Sequence, residues 1–168
     1  RDLHSFPTRR SSDLYTRCNM ISVSAHSPGG DLTGATPDGR HKGEILADAN
    51  LSPIQGTDKN GPLAVFRSAM KVDQRDFQAF LMNMKIHPSS LKSESDYDKL
   101  VAAIRVYFNG GGKMIQFNVV DIETLKKARM EPESYKDIMV RIAGYSAFFV
   151  DLTQNVQDDI MRRTEQHL

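Results

Sequence analysis

The chain has 168 residues, of which 39% are hydrophobic and 26% are charged, a composition typical of one soluble globular domain. No apolar run approaches the length of a membrane span, and a single cysteine excludes both an intrachain disulfide and a cysteine-rich metal site. A reducing, cytoplasmic location without a membrane partner is therefore the default expectation.

The first fourteen residues show neither helical nor strand periodicity. They lack an initiator Met and resemble a translated sequencing adapter, so we predict that residues 1–14 are a non-native scar and exclude them from fold reasoning. They contribute three arginines and two aspartates, and without them basic and acidic residues are equal in number. A balanced charge does not support nucleic-acid binding, which requires a concentrated positive surface.

Turn-forming residues dominate the next part of the chain. Residues 26–62 hold seven of the eleven glycines and four of the seven prolines, which predicts loops. Because a structureless stretch of this length is uncommon inside a compact domain, we expect it to pack on something larger. The sequence therefore predicts a loop-rich segment over residues 15–62 and a second unit over residues 63–168.

From residue 63 the pattern alternates between helices and strands. Helices are predicted over residues 63–72, 96–108, 121–128 and from 153, and strands over 80–86, 113–120 and 138–143. This alternation predicts an α/β fold with parallel pairing. Three such strands cannot close a barrel, so we expect this piece to belong to one.

Polar residues at helix ends refine these predictions. Ser95 is predicted to cap the second helix, with Asp98 three residues later, and Asp121 is predicted to cap the third. In the last helix two acidic and two basic residues are interpreted as a solvated face. These residues are Asp158, Asp159, Arg162 and Arg163.

Gly144 follows the third predicted strand, within the segment VRIAGYSAFFV of residues 140–150. Its local pattern alone favours an ordinary turn or bulge glycine between two apolar segments. Residues 141–147, RIAGYSA, however, resemble the Arg-Val-Ala/Ser-Gly-Tyr signature of glycyl radical enzymes.

The resemblance extends in order through five further segments and covers about residues 20–168. These are ATPDGR (35–40), SPIQGTDKNGP (52–62), NMKIHPSS (83–90), QFNVVD (116–121) and VQDDIMRRTE (156–165). The chain is therefore identified as a member of the glycyl radical enzyme family.

The resemblance implies that Gly144 stores a radical on its α-carbon, in a buried loop free of water and oxygen. Delocalisation over the neighbouring amide and carbonyl needs a planar centre, which a Cβ would crowd. In the family this radical takes a hydrogen atom from a cysteine thiol several hundred residues upstream, and the resulting thiyl radical attacks substrate. Cys18 lies too close to Gly144 in sequence and lacks that cysteine's motif. By itself, the chain is expected to be inactive.

The family also implies a fold and partners. The fold is the C-terminal part of a ten-stranded glycyl radical enzyme α/β barrel, incomplete in this chain. Residues 15–62 would be a barrel segment, and residues 63–168 the glycine radical domain with its C-terminal helix. No bound cofactor and no metal are expected. A radical S-adenosylmethionine activating enzyme, which carries the iron–sulfur cluster, would install the radical in a homodimer that acts on a small molecule.

Four residues are predicted to support the radical loop. Arg141 could hydrogen-bond loop carbonyls, and Tyr145 could seal the pocket. Gln116 and Asn118 share one strand face and could satisfy backbone groups beside Gly144 or, alternatively, contact substrate. For Arg141 and Tyr145 the alternative is plain packing.

Two questions stay open at this point. The sequence from Ala143 to Asp151 resembles the dehydratase and lyase branch more than pyruvate formate-lyase, which implies cleavage of a C–O, C–N or C–C bond. Within that branch a diol, choline, hydroxyproline and an arylacetate are all possible substrates. The alternative function is a free-standing spare-part subunit that repairs an oxygen-damaged enzyme.

Overall fold

The computed structural model describes residues 24–167, so the predicted scar and Cys18 lie outside the described residues. The helices are α1 His26–Leu32, α2 Pro62–Ala69, α3 Glu94–Asn109, α4 Ile122–Met130 and α5 Gln154–Arg162. The strands are β1 Asn83–Ile86, β2 Gln116–Val119, β3 Met139–Arg141, β4 Ser146–Phe148 and β5 Glu165–Gln166. No helix among the described residues is long and apolar enough to cross a membrane.

Three strands form a parallel sheet in the order β2-β1-β5. The parallel pairing predicted for the first two strands is present. The prediction for the third strand is wrong, because β3 pairs antiparallel with β4 in a separate hairpin. Gly144 reverses the chain within four residues, so the strand before it meets the one after it and not the sheet. Strand β5 has two residues, too few to show a period.

The two faces of the parallel sheet differ in chemistry. Helices α2 and α3 cover one face, where Met84 and Ile86 of β1 pack with Phe66 and Tyr107 in a buried apolar core. The opposite face carries polar side chains in register, and all of them are buried. These are Asn83 beside Gln116 and Lys85 beside Asn118. A buried polar face needs hydrogen-bonding partners. The hairpin supplies them to Asn83, Gln116 and Asn118, while Lys85 pairs with Glu165 at 3.1 Å.

A second apolar core holds the hairpin against α4 and α5. Leu125 of α4 and Ile160 of α5 are fully buried there with Val140, Ile142 and Phe149 from the hairpin region. Apolar residues at helical spacing on α4 and α5 thus bury one side of each helix. The hairpin therefore lies between an apolar core and the polar face of the sheet.

The loop prediction for residues 26–62 is wrong at its start, where α1 forms despite containing Pro28, Gly29 and Gly30. Proline is tolerated in a first helical turn. Gly30 is buried, and a Cβ there would overlap the backbone of Glu44. The division after residue 62 stays a prediction. A hydrogen bond connects the two predicted segments, because Asn83 Nδ2 donates to Asp48 Oδ2 at 2.7 Å.

Helix α3 begins two residues earlier than predicted, and its cap is Ser93 rather than Ser95. The Ser93 hydroxyl accepts from Asp96 N at 3.2 Å, while the Asp96 carboxylate accepts from Ser93 N at 3.1 Å. Ser95 and Asp98 have the same spacing two residues later in the chain. The local pattern therefore did not distinguish the two registers. The predicted cap of α4 by Asp121 is present.

Replacing Ser93 with Ala should lower the free energy of unfolding by about 1 kcal/mol, since the Asp96 N–H in the first turn of α3 loses its acceptor. Ser95→Ala is the matched control. Ser95 is exposed within the helix, where Ala is the better helix former, so this variant should be unchanged or slightly stabilised. Urea denaturation of both variants measures the difference. Equal losses would contradict the assignment of the cap.

Candidate functional site

Residues 139–148 form a β-hairpin, here called the glycine hairpin, whose four-residue turn is closed by Ile142 N donating to Tyr145 O at 3.0 Å. Gly144 has φ +85°, in the left-handed region that favours glycine. A Cβ at this position would meet only Leu81 Cδ1, at an ordinary 3.7 Å. Backbone conformation, and not lack of space, therefore calls for glycine here.

Gln116 and Arg141 hold the peptide groups of Gly144. The Gly144 N–H donates to Gln116 Oε1 at 3.2 Å, and Arg141 Nε donates to the same oxygen at 2.9 Å. Arg141 Nη2 donates to the Gly144 carbonyl at 3.2 Å, and Nη1 donates to Ser146 Oγ at 3.1 Å. Two of the predicted supporting residues are thus in direct contact with Gly144.

Asn118 and Asn83 hold the first side of the hairpin through their amide groups. Asn118 Oδ1 accepts from Arg141 N at 2.6 Å and its Nδ2 donates to Arg141 O at 2.7 Å, which reproduces the pair of bonds that a neighbouring strand would make. Asn83 Nδ2 donates to Ile142 O at 2.6 Å. The polar face of the sheet therefore binds the hairpin with side chains instead of backbone. Asn118 reaches the backbone next to the turn without touching Gly144.

A buried charged cluster lies beside these contacts. Its members are His26, Asp48, Asp159 and Arg163, all less than a tenth exposed. Arg163 Nη1 donates to the carbonyls of Arg141 and Ile142 at 3.3 and 3.2 Å. Its Nη2 lies 2.8 Å from Asp159 Oδ2 and 3.4 Å from Asp48 Oδ2. The cluster thus ties α5 to the chain just before Gly144.

The interpretation of the last helix as a solvated charged face is wrong for Asp159 and Arg163. It holds for Arg162, which is exposed. Asp158 is half-buried and forms an ion pair with Arg129 at 2.6 Å. An acidic and a basic residue four positions apart can form an ion pair whether the helix face is exposed or buried, so their spacing does not reveal burial. Only the packing of α5 against the hairpin places this pair inside.

The charged groups of the cluster shift one another's pKa values. Burial alone would raise the pKa of Asp159, but its hydrogen bond to His26 and the charge of Arg163 hold that pKa below the usual value. Burial lowers the pKa of His26, yet the Asp159 carboxylate 3.1 Å from Nε2 raises it overall. Burial raises the pKa of Asp48, and Arg163 only partly opposes this. Asp159 is therefore the main ionic partner of Arg163.

The expected burial of Gly144 is not provided by the residues that the structure describes. Gly144 is exposed, and Tyr145, predicted to seal the pocket, is itself 43% exposed. Met139 and Phe148, which pair across the hairpin, are 60% and 42% exposed. Gly144 is thus held by polar contacts at its N–H and its carbonyl, while the glycine itself and the side chain of its neighbour Tyr145 remain exposed.

Sequence reasoning missed two residues that hold the hairpin, Asn83 and Arg163. Both lie in segments that resemble the family, residues 83–90 and 156–165, which is the signal that could have found them. Their contacts join positions far apart in the chain, so no local period reveals them. Within residues 24–167, no three His, Cys, Asp or Glu side chains are grouped as metal ligands would be.

A family model and the sequences of known proteins both match this chain to one family. A family model described as "Glycine radical" matches residues 47–150, more than half of the chain. Indoleacetate decarboxylase of Tractidigestivibacter scatoligenes is 48% identical over 145 residues, which cover 86% of this chain and 16% of that protein. The 4-hydroxyphenylacetate decarboxylase glycyl radical subunit of Clostridioides difficile is 46% identical over 146 residues, covering 87% and 16%.

Solved structures agree with the sequence relatives. The B12-independent glycerol dehydratase from Clostridium butyricum superposes with a TM-score of 0.89 at 42% identity, over 92% of this chain and 20% of that one. The chain therefore spans a fifth or less of these relatives. The predicted α/β fold, as part of the glycyl radical enzyme barrel, is confirmed, as is the resemblance to dehydratases and lyases. Matched in family model, in sequence and in fold, the chain belongs to the family of glycyl radical enzymes.

Proposed function

We propose that the chain is a radical-storage domain and that Gly144 carries the radical. The observation that carries this proposal is the setting of Gly144. It is a positive-φ glycine at the tip of a hairpin, held at both its N–H and its carbonyl, with its other side open. An open α-carbon can be reached by a second protein, and a fixed backbone keeps the radical in one position.

The chemistry follows in two balanced steps. A carbon-centred radical of the activating enzyme takes one α-hydrogen atom from Gly144, so the C–H bond breaks evenly and one electron stays on the α-carbon. That radical later takes a hydrogen atom from a cysteine S–H, which restores the glycine and leaves a thiyl radical to attack substrate. Cys18 lies outside the described residues, so it stays a prediction that Cys18 is not this cysteine.

The partners in this proposal are the activating enzyme, the remainder of the barrel and a small-molecule substrate. In the intact protein, a dehydratase or lyase acting on a C–O, C–N or C–C bond, the remainder of the barrel would cover the open side of Gly144. The exposed Tyr145, which directly follows Gly144, supports this, because an aromatic side chain beside a radical excludes water once it is covered. A homodimer and a cytoplasmic location complete the proposal.

Electron paramagnetic resonance tests the radical. Residues 24–168 would replace the matching segment of the Clostridium butyricum glycerol dehydratase, and this chimera would be treated anaerobically with that enzyme's activating enzyme. We expect a doublet from one α-hydrogen, which collapses to a singlet in deuterated water after exchange. Gly144→Ala should abolish the signal, since the glycine α-carbon at the tip of the hairpin is lost. Gly111→Ala is the matched control, because Gly111 also has a positive φ and lies outside the hairpin. A doublet that survives Gly144→Ala would refute the assignment.

The spare-part subunit is a second candidate, which one observation favours. Gln116 and Arg141, which hold both peptide groups of Gly144, belong to the same polypeptide as the glycine, so a separate subunit would bring these contacts with it. Added as a separate polypeptide, the chain would then restore turnover to a dehydratase truncated before the matching segment. The chain alone should show no lyase activity. Restoration only by the covalent chimera would exclude the spare-part role.

A further inference from the structure

We propose that Gln116 and Arg141 close a hydrogen-bonded ring on Gly144 that polarises both of its peptide groups and so sets the spin distribution of the radical. This inference rests on the proposed function, since it concerns the same α-carbon. It goes further by giving two positioning residues an electronic role that can be measured apart from turnover.

The ring can be followed atom by atom. It runs from the Gly144 N–H to Gln116 Oε1, from that oxygen to Arg141 Nε, through the guanidinium to Nη2, and back to the Gly144 carbonyl. Its three hydrogen bonds measure 3.2, 2.9 and 3.2 Å. Both peptide groups that flank the α-carbon are thus held by one connected pair of side chains.

The orientation of the Gln116 amide is determined by its neighbours. Its oxygen faces two N–H donors, and a flipped amide would place donors against donors. This leaves Gln116 Nε2 buried and without an acceptor among residues 24–167. A buried donor without an acceptor is destabilising, and such unfavourable arrangements are retained where function requires them.

The positive charge of Arg141 is directed at Gly144. Among the described residues, its guanidinium contacts only neutral oxygens, and no carboxylate forms an ion pair with it. Arg129 provides the contrast. It makes the same Nε contact to a glutamine, Gln157 Oε1 at 3.1 Å, but an ion pair with Asp158 at 2.6 Å neutralises it.

The consequence for a radical on the α-carbon has a definite sign. A cationic donor at the carbonyl oxygen favours electron density there, and an acceptor at the N–H increases electron release from nitrogen. Both effects draw unpaired spin from the α-carbon into the flanking peptide groups. Because these dipoles are already in place before the radical forms, no reorganisation is required. The α-hydrogen splitting should therefore be smaller with the ring than without it.

Two variants open the ring in different ways. Gln116→Met keeps the side-chain length and removes the shared acceptor. Arg141→Lys keeps the charge and removes the planar fork that spans Gln116 Oε1 and the Gly144 carbonyl. Arg129→Lys is the matched control, because the same change there leaves Gly144 untouched.

The first measurement uses the 168-residue chain without a radical. In nuclear magnetic resonance spectra, Gln116→Met should move the Gly144 amide proton to higher field and speed its exchange with deuterium, while Arg129→Lys should leave both unchanged. The second measurement is the splitting of the Gly144 doublet after anaerobic activation. It should widen in Gln116→Met and in Arg141→Lys and stay unchanged in Arg129→Lys.

Each outcome decides a separate point. An unchanged Gly144 amide in Gln116→Met would show that the ring does not form. A changed amide with unchanged splittings in both ring variants would show that the ring holds the turn but does not tune the radical. Absence of any doublet from the unsubstituted protein would overturn the proposed function and the tuning role together, while the amide result would still decide whether the ring exists.

Discussion

Exposure of the activated protein to air should cut the main chain at Gly144. A carbon-centred radical on the backbone combines with oxygen, and the peroxyl product breaks the chain at that residue. Gly144 lies in the turn between β3 and β4, so a cut there separates the two strands of the hairpin. The small product should begin after residue 144 and carry helix α5 and strand β5. Mass spectrometry of the two pieces locates the cut to a single residue.

Three controls isolate the cause of cleavage. Protein that has not been activated should stay whole in air, because ordinary glycine does not react with oxygen. Activation of Gly144→Ala should protect the chain, while Gly111→Ala should be cut like the unsubstituted protein. Cleavage at another residue, or equal cleavage without activation, would mean that Gly144 is only a turn residue.

Arg163→Met should lower the free energy of unfolding by about 3–5 kcal/mol, the usual loss when one partner of a buried ion pair is removed. The variant leaves the side chains of Asp48 and Asp159 buried, with His26 as the remaining hydrogen-bond partner of Asp159 in the cluster. It also removes the donors to the carbonyls of Arg141 and Ile142. Arg162→Met is the matched control. Its side chain is exposed, so the change should stay within about 0.5 kcal/mol. Equal losses in urea denaturation would contradict the cluster.

The loss of unfolding free energy in Arg163→Met should become smaller as pH falls. The folded-state pKa of Asp159 is lowered, so its ion pair contributes stability above the unfolded pKa, about 3.9, and loses it as pH falls through the folded value. The difference between the variant and the unsubstituted protein should therefore shrink as pH falls and Asp159 becomes protonated in both folded proteins. A difference that stays constant between pH 7 and pH 3 would mean that Arg163 acts through packing alone.

Sequence patterns located most of the regular elements. Helices α2 to α5 and strands β1 and β2 all overlap their predicted ranges, because each carries apolar residues along one side at the period of its structure. The ends of the elements were predicted less accurately, as the choice between Ser93 and Ser95 for the start of α3 shows. Both serines can cap a helix, and only the completed hydrogen-bond pair distinguishes them.

By itself, the sequence determined the α/β class and the family, and it singled out Gly144 through a motif that is contiguous in the chain. Only the tertiary structure decided that β3 pairs with β4 and not with the parallel sheet, that Gln116 and Arg141 bind the two peptide groups of Gly144, and that Asp159 and Arg163 are buried. These facts depend on contacts between residues distant in sequence. The same local pattern of charges or β-branched residues fits either environment until the chain has packed around it.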